Sequence, residues 1–213
     1  MTRRSRRTIM NFNMENDRGI GMSSPKTGRV VFVTLLLTAC SPASGEPPAH
    51  YLERAGAALM EASGDTQRLE NALAIYDEGL EHYPDNTELR SHRANLLAGL
   101  GRYEEAKRDL DELHEGGLHR GGMLLRCMVH ERLEGATDDA LACYAEVEAA
   151  YVMAGEPDDR PKANHILAAR LAGSPEAEAL LLAWQASDTP VEDPILAEIL
   201  EMEREELIRK LLP

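Results

Sequence analysis

Residues 94–110 read Ala-Asn-Leu-Leu-Ala-Gly-Leu-Gly-Arg-Tyr-Glu-Glu-Ala-Lys-Arg-Asp-Leu. An Ala/Leu-rich run ends at Gly101, and apolar residues then return every three or four places at Tyr103, Ala106 and Leu110. That spacing puts one stripe on each of two helices with a turn between them. The pattern recurs on both sides. Ala72, Ala106 and Ala140 are equally spaced along the chain; Tyr76, Leu110 and Tyr144 repeat the same interval, and so do Gly101 and Gly135. A fixed period of this size marks stacked helical hairpins, each too small to bury its own apolar face.

Gly101, Tyr103 and Ala106, with the closing Pro84-Asp85-Asn86, resemble the tetratricopeptide repeat. The resemblance implies an all-α, TPR-like helical-hairpin solenoid that binds another protein or peptide along a concave groove lined by the first helix of each hairpin. Family positions facing that groove fall on Ser91, His92 and Asn95 in the second unit, Arg126 in the third and Asn164 in the fourth. Asn95 matches an asparagine used by carboxylate-clamp members, but the lysines of that clamp are missing. Recognition of an acidic C-terminal peptide is therefore not implied.

About four hairpins are expected over residues 51–191. The first pairs 51–62 with 69–82 across Ser63-Gly64-Asp65-Thr66, and the second pairs 88–100 with 103–114. Ala94 and Ala106 are small where those two helices meet, and Leu97, Tyr103, Leu110 and Leu113 are expected to fill the space between units. Four glycines between Glu115 and Gly122 predict a wide loop. The third unit pairs 123–134 with 138–151 and has Glu131 where the second has Leu97, which marks it as degenerate. The fourth pairs 162–172 with 175–185, with Ser174 as N-cap, Pro175 in the first turn and Trp184 in the core. Residues 192–213 predict a single C-terminal capping helix with Leu196, Ile199, Leu200, Leu207 and Leu211 on one face.

The N-terminus reads as an address. Residues 30–37 (Val-Val-Phe-Val-Thr-Leu-Leu-Leu) form an apolar run too short to cross a bilayer, which takes roughly 20 residues. It suits the core of a secretory signal. Leu37-Thr38-Ala39-Cys40 resembles the bacterial lipobox, which implies a signal peptide over 22–39 and acylation of Cys40. Met22 is the expected start, with residues 1–21 a misassigned upstream extension. Residues 40–50 then carry the lipid and a Pro/Ser/Gly tether. Ser41, where an Asp would favour the inner membrane, implies the periplasmic side of a Gram-negative outer membrane.

Positions 1–39 hold seven Lys/Arg and two Asp/Glu, leaving 16 basic and 35 acidic side chains and a net charge of −19 in the remainder. So acidic a body repels phosphate backbones, which argues against nucleic-acid binding. Phosphate-loop, dinucleotide and Gly-x-Ser-x-Gly signatures do not occur, and Cys127-Met-Val-His130 lacks the further ligands of a zinc site. The expectation is a non-enzymatic scaffold or adaptor with no metal and no cofactor. An immunity protein against a basic periplasmic toxin is the alternative. Cys127 and Cys143 flank Gly135 at similar distances, so a hairpin brings them near one another. A disulfide suits an oxidising compartment, and two buried thiols suit a small apolar core position.

Overall fold

The computed structural model describes residues 46–155, 161–186 and 194–212. The residues read as leader, signal peptide and acylation site, Cys40 included, lie outside them. The described residues form ten helices and no strand. Four hairpins come first. They are α1 (Pro48–Ala62) with α2 (Thr66–His82), α3 (Thr87–Gly99) with α4 (Tyr103–Glu115), α5 (Arg120–Glu134) with α6 (Asp138–Ala154), and α7 (Ala163–Ala172) with α8 (Ala177–Ala186). Two short helices follow, α9 (Pro194–Glu201) and α10 (Arg204–Leu211).

Local chemistry sets the helix starts. Side chains of Asp65, Asn86 and Thr137 accept from the backbone N–H three residues on, at Arg68, Leu89 and Ala140, satisfying a donor that a helix start leaves unpaired. Gly135 ends α5 at a φ of +87°, a conformation costly to any side chain with a Cβ.

Packing then follows the period. Within each hairpin the two helices pack together, and each second helix packs on the next first helix: α2 on α3, α4 on α5, α6 on α7. The first helices also neighbour one another, α1 beside α3, α3 beside α5, α5 beside α7, and so form a row. Ala72, Ala94, Ala106 and Ala140 are all fully buried, as close helix approach demands. Leu97, Leu110 and Leu113 are buried beside them, Tyr103 is half-buried under the Arg132 guanidinium of the next unit, and Trp184 is in the core. Gly79 marks another tight crossing. A Cβ there would sit 3.0 Å from both Leu89 Cδ1 and Tyr51 Cγ, where α1, α2 and α3 meet.

Five expectations need correction. The glycine-rich loop is short, because α5 already begins at Arg120 and takes Gly121 and Gly122 into its first turn. His119 Nδ1 accepts from Gly122 N–H, and a Cβ on Gly122 would meet Leu118 Cδ1 at 2.6 Å. The glycine there provides room, not a loop. The segment 192–213 is not one helix: it breaks at Met202–Glu203, where Glu203 is extended. Breaking lets two short apolar faces fold inward, burying Ile199 and Leu200 from one helix and Leu207, Ile208 and Leu211 from the other. Nor does it cap the outer end of the stack, since Ala179, Leu182, Ala183 and Ala186 of α8 remain exposed. Finally, α8 begins at Ala177, and the Ser174 hydroxyl accepts from Glu176 N–H while donating to Glu148 Oε1 at 2.7 Å. At the other end, α1 starts at Pro48, inside the stretch read as tether.

Candidate docking site

The row of first helices is where the predicted groove residues fall. Ser91, His92 and Asn95 share just over one turn of α3. Ser91 is buried, and its carbonyl accepts from Asn95 Nδ2 at 2.9 Å. Asn95 Oδ1 is enclosed and receives no hydrogen bond among the described residues. Half-buried His92 stacks on Tyr76, with ring centroids 6.0 Å apart and planes 14° from parallel. Burial lowers the pKa of His92 below its ordinary value, opposed by the nearby Glu88 carboxylate. The same burial pushes the Tyr76 hydroxyl up to about 12. The stack is thus neutral on both faces at pH 7.

Arg126 is not grouped with these three. It occupies the repeat position of His92 one period later, but its Nε donates to Asp111 Oδ1 on α4 at 2.8 Å. Lys107 holds the other oxygen of Asp111 at 2.6 Å. Burial alone would raise the Asp111 pKa, but hydrogen bonds from Lys107 and Arg126 overcome it and the pKa is lowered. Arg126 therefore ties α5 to the preceding hairpin. Asn164 is half-buried in the first turn of α7, two first helices away from His92.

Two polar assemblies escape a reading of the sequence. In the second hairpin, buried Asp109 on α4 takes both Nε and Nη2 of Arg93 on α3, at 2.8 and 2.6 Å, while Nη1 of Arg93 reaches Asp77 on α2 at 2.9 Å. The hydrogen bond to Asp109 is the main cause that raises the Arg93 pKa. In the third hairpin, Glu131 is buried on α5. It accepts from the Tyr144 hydroxyl at 2.8 Å and from both Nη atoms of Arg204 at 2.9 Å. Arg204 belongs to α10, and its Nε also donates to the Leu171 carbonyl at the end of α7. Burial, then the Glu131 charge, raises the Tyr144 pKa, so that hydroxyl stays a donor. Glu131 is thus a paired acid that holds the C-terminal segment, not a sign of decay in the repeat.

Cys127 and Cys143 are joined in the structure, Cα atoms 5.6 Å apart, across α5 and α6. They stand one repeat period after Arg93 and Asp109 respectively. A covalent bond in one hairpin takes the place of an ion pair in the one before. That common interval was the available signal for the Arg93–Asp109 pair. Nothing local in the sequence points from Glu131 to Arg204, 73 residues away.

Among the described residues no group of three or more His, Cys, Asp or Glu side chains could hold a metal ion, and no helix is long and apolar enough to cross a membrane. In comparisons with known proteins, residues 65–115 match the tetratricopeptide repeat family, a span covering α2 to α4 and about a quarter of the chain. Neither a curated protein nor a solved structure matches the chain.

Proposed function

We propose that the protein is a non-enzymatic adaptor that docks a segment of another protein along its first-helix row, with α3 as the principal contact, while an acyl chain on Cys40 holds it at the outer membrane. The observation that carries this reading is that the repeat match and the half-exposed groove positions fall on one helix. The repeat match centres on α3. Two of the polar side chains left half-exposed on that helix, His92 and Asn95, are at groove positions, whereas half-exposed Arg93 is committed to Asp109 and Asp77. Asn95 is held in place by its Nδ2 hydrogen bond to the Ser91 carbonyl and presents its half-exposed side chain beside His92. The flat His92–Tyr76 stack offers an apolar face beside it. Ser91 supports that surface from beneath, since it is buried, and Arg126 is committed to Asp111 on α4. Docking on a largely preformed groove needs little rearrangement of the repeat.

Crosslinked pull-down from envelope fractions tests it. His92→Glu and Asn95→Arg, separately, should each reduce recovery of the captured partner by tenfold or more without changing helix content. Equal recovery from both variants contradicts the docking site. Cys40→Ser should move the protein from the membrane pellet to the soluble envelope fraction, with loss of acyl labelling.

A further inference from the structure

We infer that the far half of the first-helix row, α5 and α7, is a seat for an amphipathic helix bearing an arginine, and that residues 194–212 occupy it in the free protein, so that a partner helix of the same chemistry competes with them. This rests on the first-helix row being the docking face.

Three observations carry it. First, the middle of α7 is enclosed on every side: five consecutive residues, His165 to Ala169, are buried, more than a full turn, while Ala163, Asn164, Arg170 and Ala172 toward its ends stay partly exposed. On α3, which holds the equivalent place two hairpins earlier, His92, Arg93, Asn95 and Gly99 stay partly exposed. Something therefore covers α7 that does not cover α3. Second, the cover is α9, which packs against α7 and touches α8 through the hydrogen bond from Gln185 Nε2 to Glu201 Oε1, while Ala179, Leu182, Ala183 and Ala186 of α8 stay exposed. A segment whose role is to close a solenoid covers that last outer face; this one lies on the docking row instead. Third, the attachment is chemically specific. Leu207, Ile208 and Leu211 are buried, and Arg204 forms a two-pronged pair with Glu131 while donating to the Leu171 carbonyl. Carboxylate and helix-end carbonyl together demand a planar cation with several donors, which an arginine supplies and a lysine does not. The site thus selects a short amphipathic helix with an arginine at its start and apolar anchors three and seven residues on. The energetic asymmetry favours exchange over vacancy, because Glu131 left buried without its cation is strongly disfavoured.

Amide hydrogen exchange on the full chain, combined with binding of a labelled peptide of residues 194–212, tests the proposal without any external partner. Failure here leaves the adaptor reading untouched. Two variants are compared with the unaltered protein: Arg204→Ala, and Leu207→Ala with Leu211→Ala, which keeps the Glu131 pair in place. Exchange in 194–212 should accelerate at least tenfold in both, while α3, α5 and α7 keep their protection. The peptide should bind both variants at least tenfold more tightly than the unaltered protein, and a peptide carrying Arg204→Ala should lose that binding. If Arg204→Ala unfolds the chain, the leucine pair decides. Loss of protection in α5 and α7 together with 194–212 in that variant would show the segment to be integral core and overturn the proposal. So would unchanged exchange in 194–212, or a peptide that binds neither variant.

Discussion

Ala106 shows at the scale of one residue why the repeat has its shape. It is fully buried on α4, the helix that packs against α3. Ala106→Leu should destabilise the protein by about 1–3 kcal/mol through overpacking, read from the midpoint shift in urea unfolding. An unchanged midpoint would mean that the crossing is looser than described. His92 makes a different prediction. Its folded-state pKa lies below the unfolded value, so the unfolded chain binds more protons between the two. The stability that this histidine contributes is complete above the unfolded value of about 6.5 and is lost as pH falls through the lowered folded value. The NMR midpoint of His92 should lie below that of a free histidine, and His92→Gln should flatten the loss of stability under mild acid. Both residues were legible in the sequence for the same reason: each lies in the one stretch where the period is cleanest. Arg126 was legible by position but not by direction, because Asp111 turns its side chain toward α4.

At the scale of the element, neighbouring hairpins solve one problem by two chemistries. Arg93 and Asp109 join α3 to α4 by a bidentate ion pair; Cys127 and Cys143 join α5 to α6 at the same repeat positions. Replacing Arg93 by Met leaves the Asp109 carboxylate buried without its main cation and should cost about 3 kcal/mol. Replacing both Arg93 and Asp109 by apolar residues of similar volume should cost far less, and a double-mutant cycle in urea measures the difference. For the third hairpin, Cys143→Ser or a reductant should lower stability by roughly 3 kcal/mol, the scale for closing a loop of this length. Equal urea midpoints with and without reductant would mean that the thiols are unbonded in solution. The hairpins themselves could be read from sequence because their stripes are local and periodic. The start of α5 could not, since Gly121 and Gly122 resemble loop residues until Leu118 is seen to need the space. The break between α9 and α10 could not either. A single continuous stripe fits 192–213 equally well, and only the surface it meets decides that the segment bends at Met202.

Over the whole molecule, the four hairpins form one stack whose first helices line up, and the two ends of that line differ. Near α3 polar groups remain half-exposed; near α7 the chain covers itself with α9 and α10. The acidic body, with a net charge of −19 beyond Ala39, favours a basic partner by long-range attraction, an effect that salt should weaken. Fold class and three of the hairpins were accessible from the period, and the fourth from the helix-stop and helix-start residues at Gly173, Ser174 and Pro175. The asymmetry was not, because it depends on Arg204 meeting Glu131 across 73 residues and no local pattern encodes that pairing. The proposed docking places the partner on the first-helix row at α3. Site-specific photocrosslinking in intact cells tests it most directly, with the crosslinker placed at His92 in one form of the protein and at the exposed Glu104 of α4 in another. One discrete crosslinked partner is expected from position 92 and none from position 104. The same adduct from both positions, or from 104 alone, would contradict it.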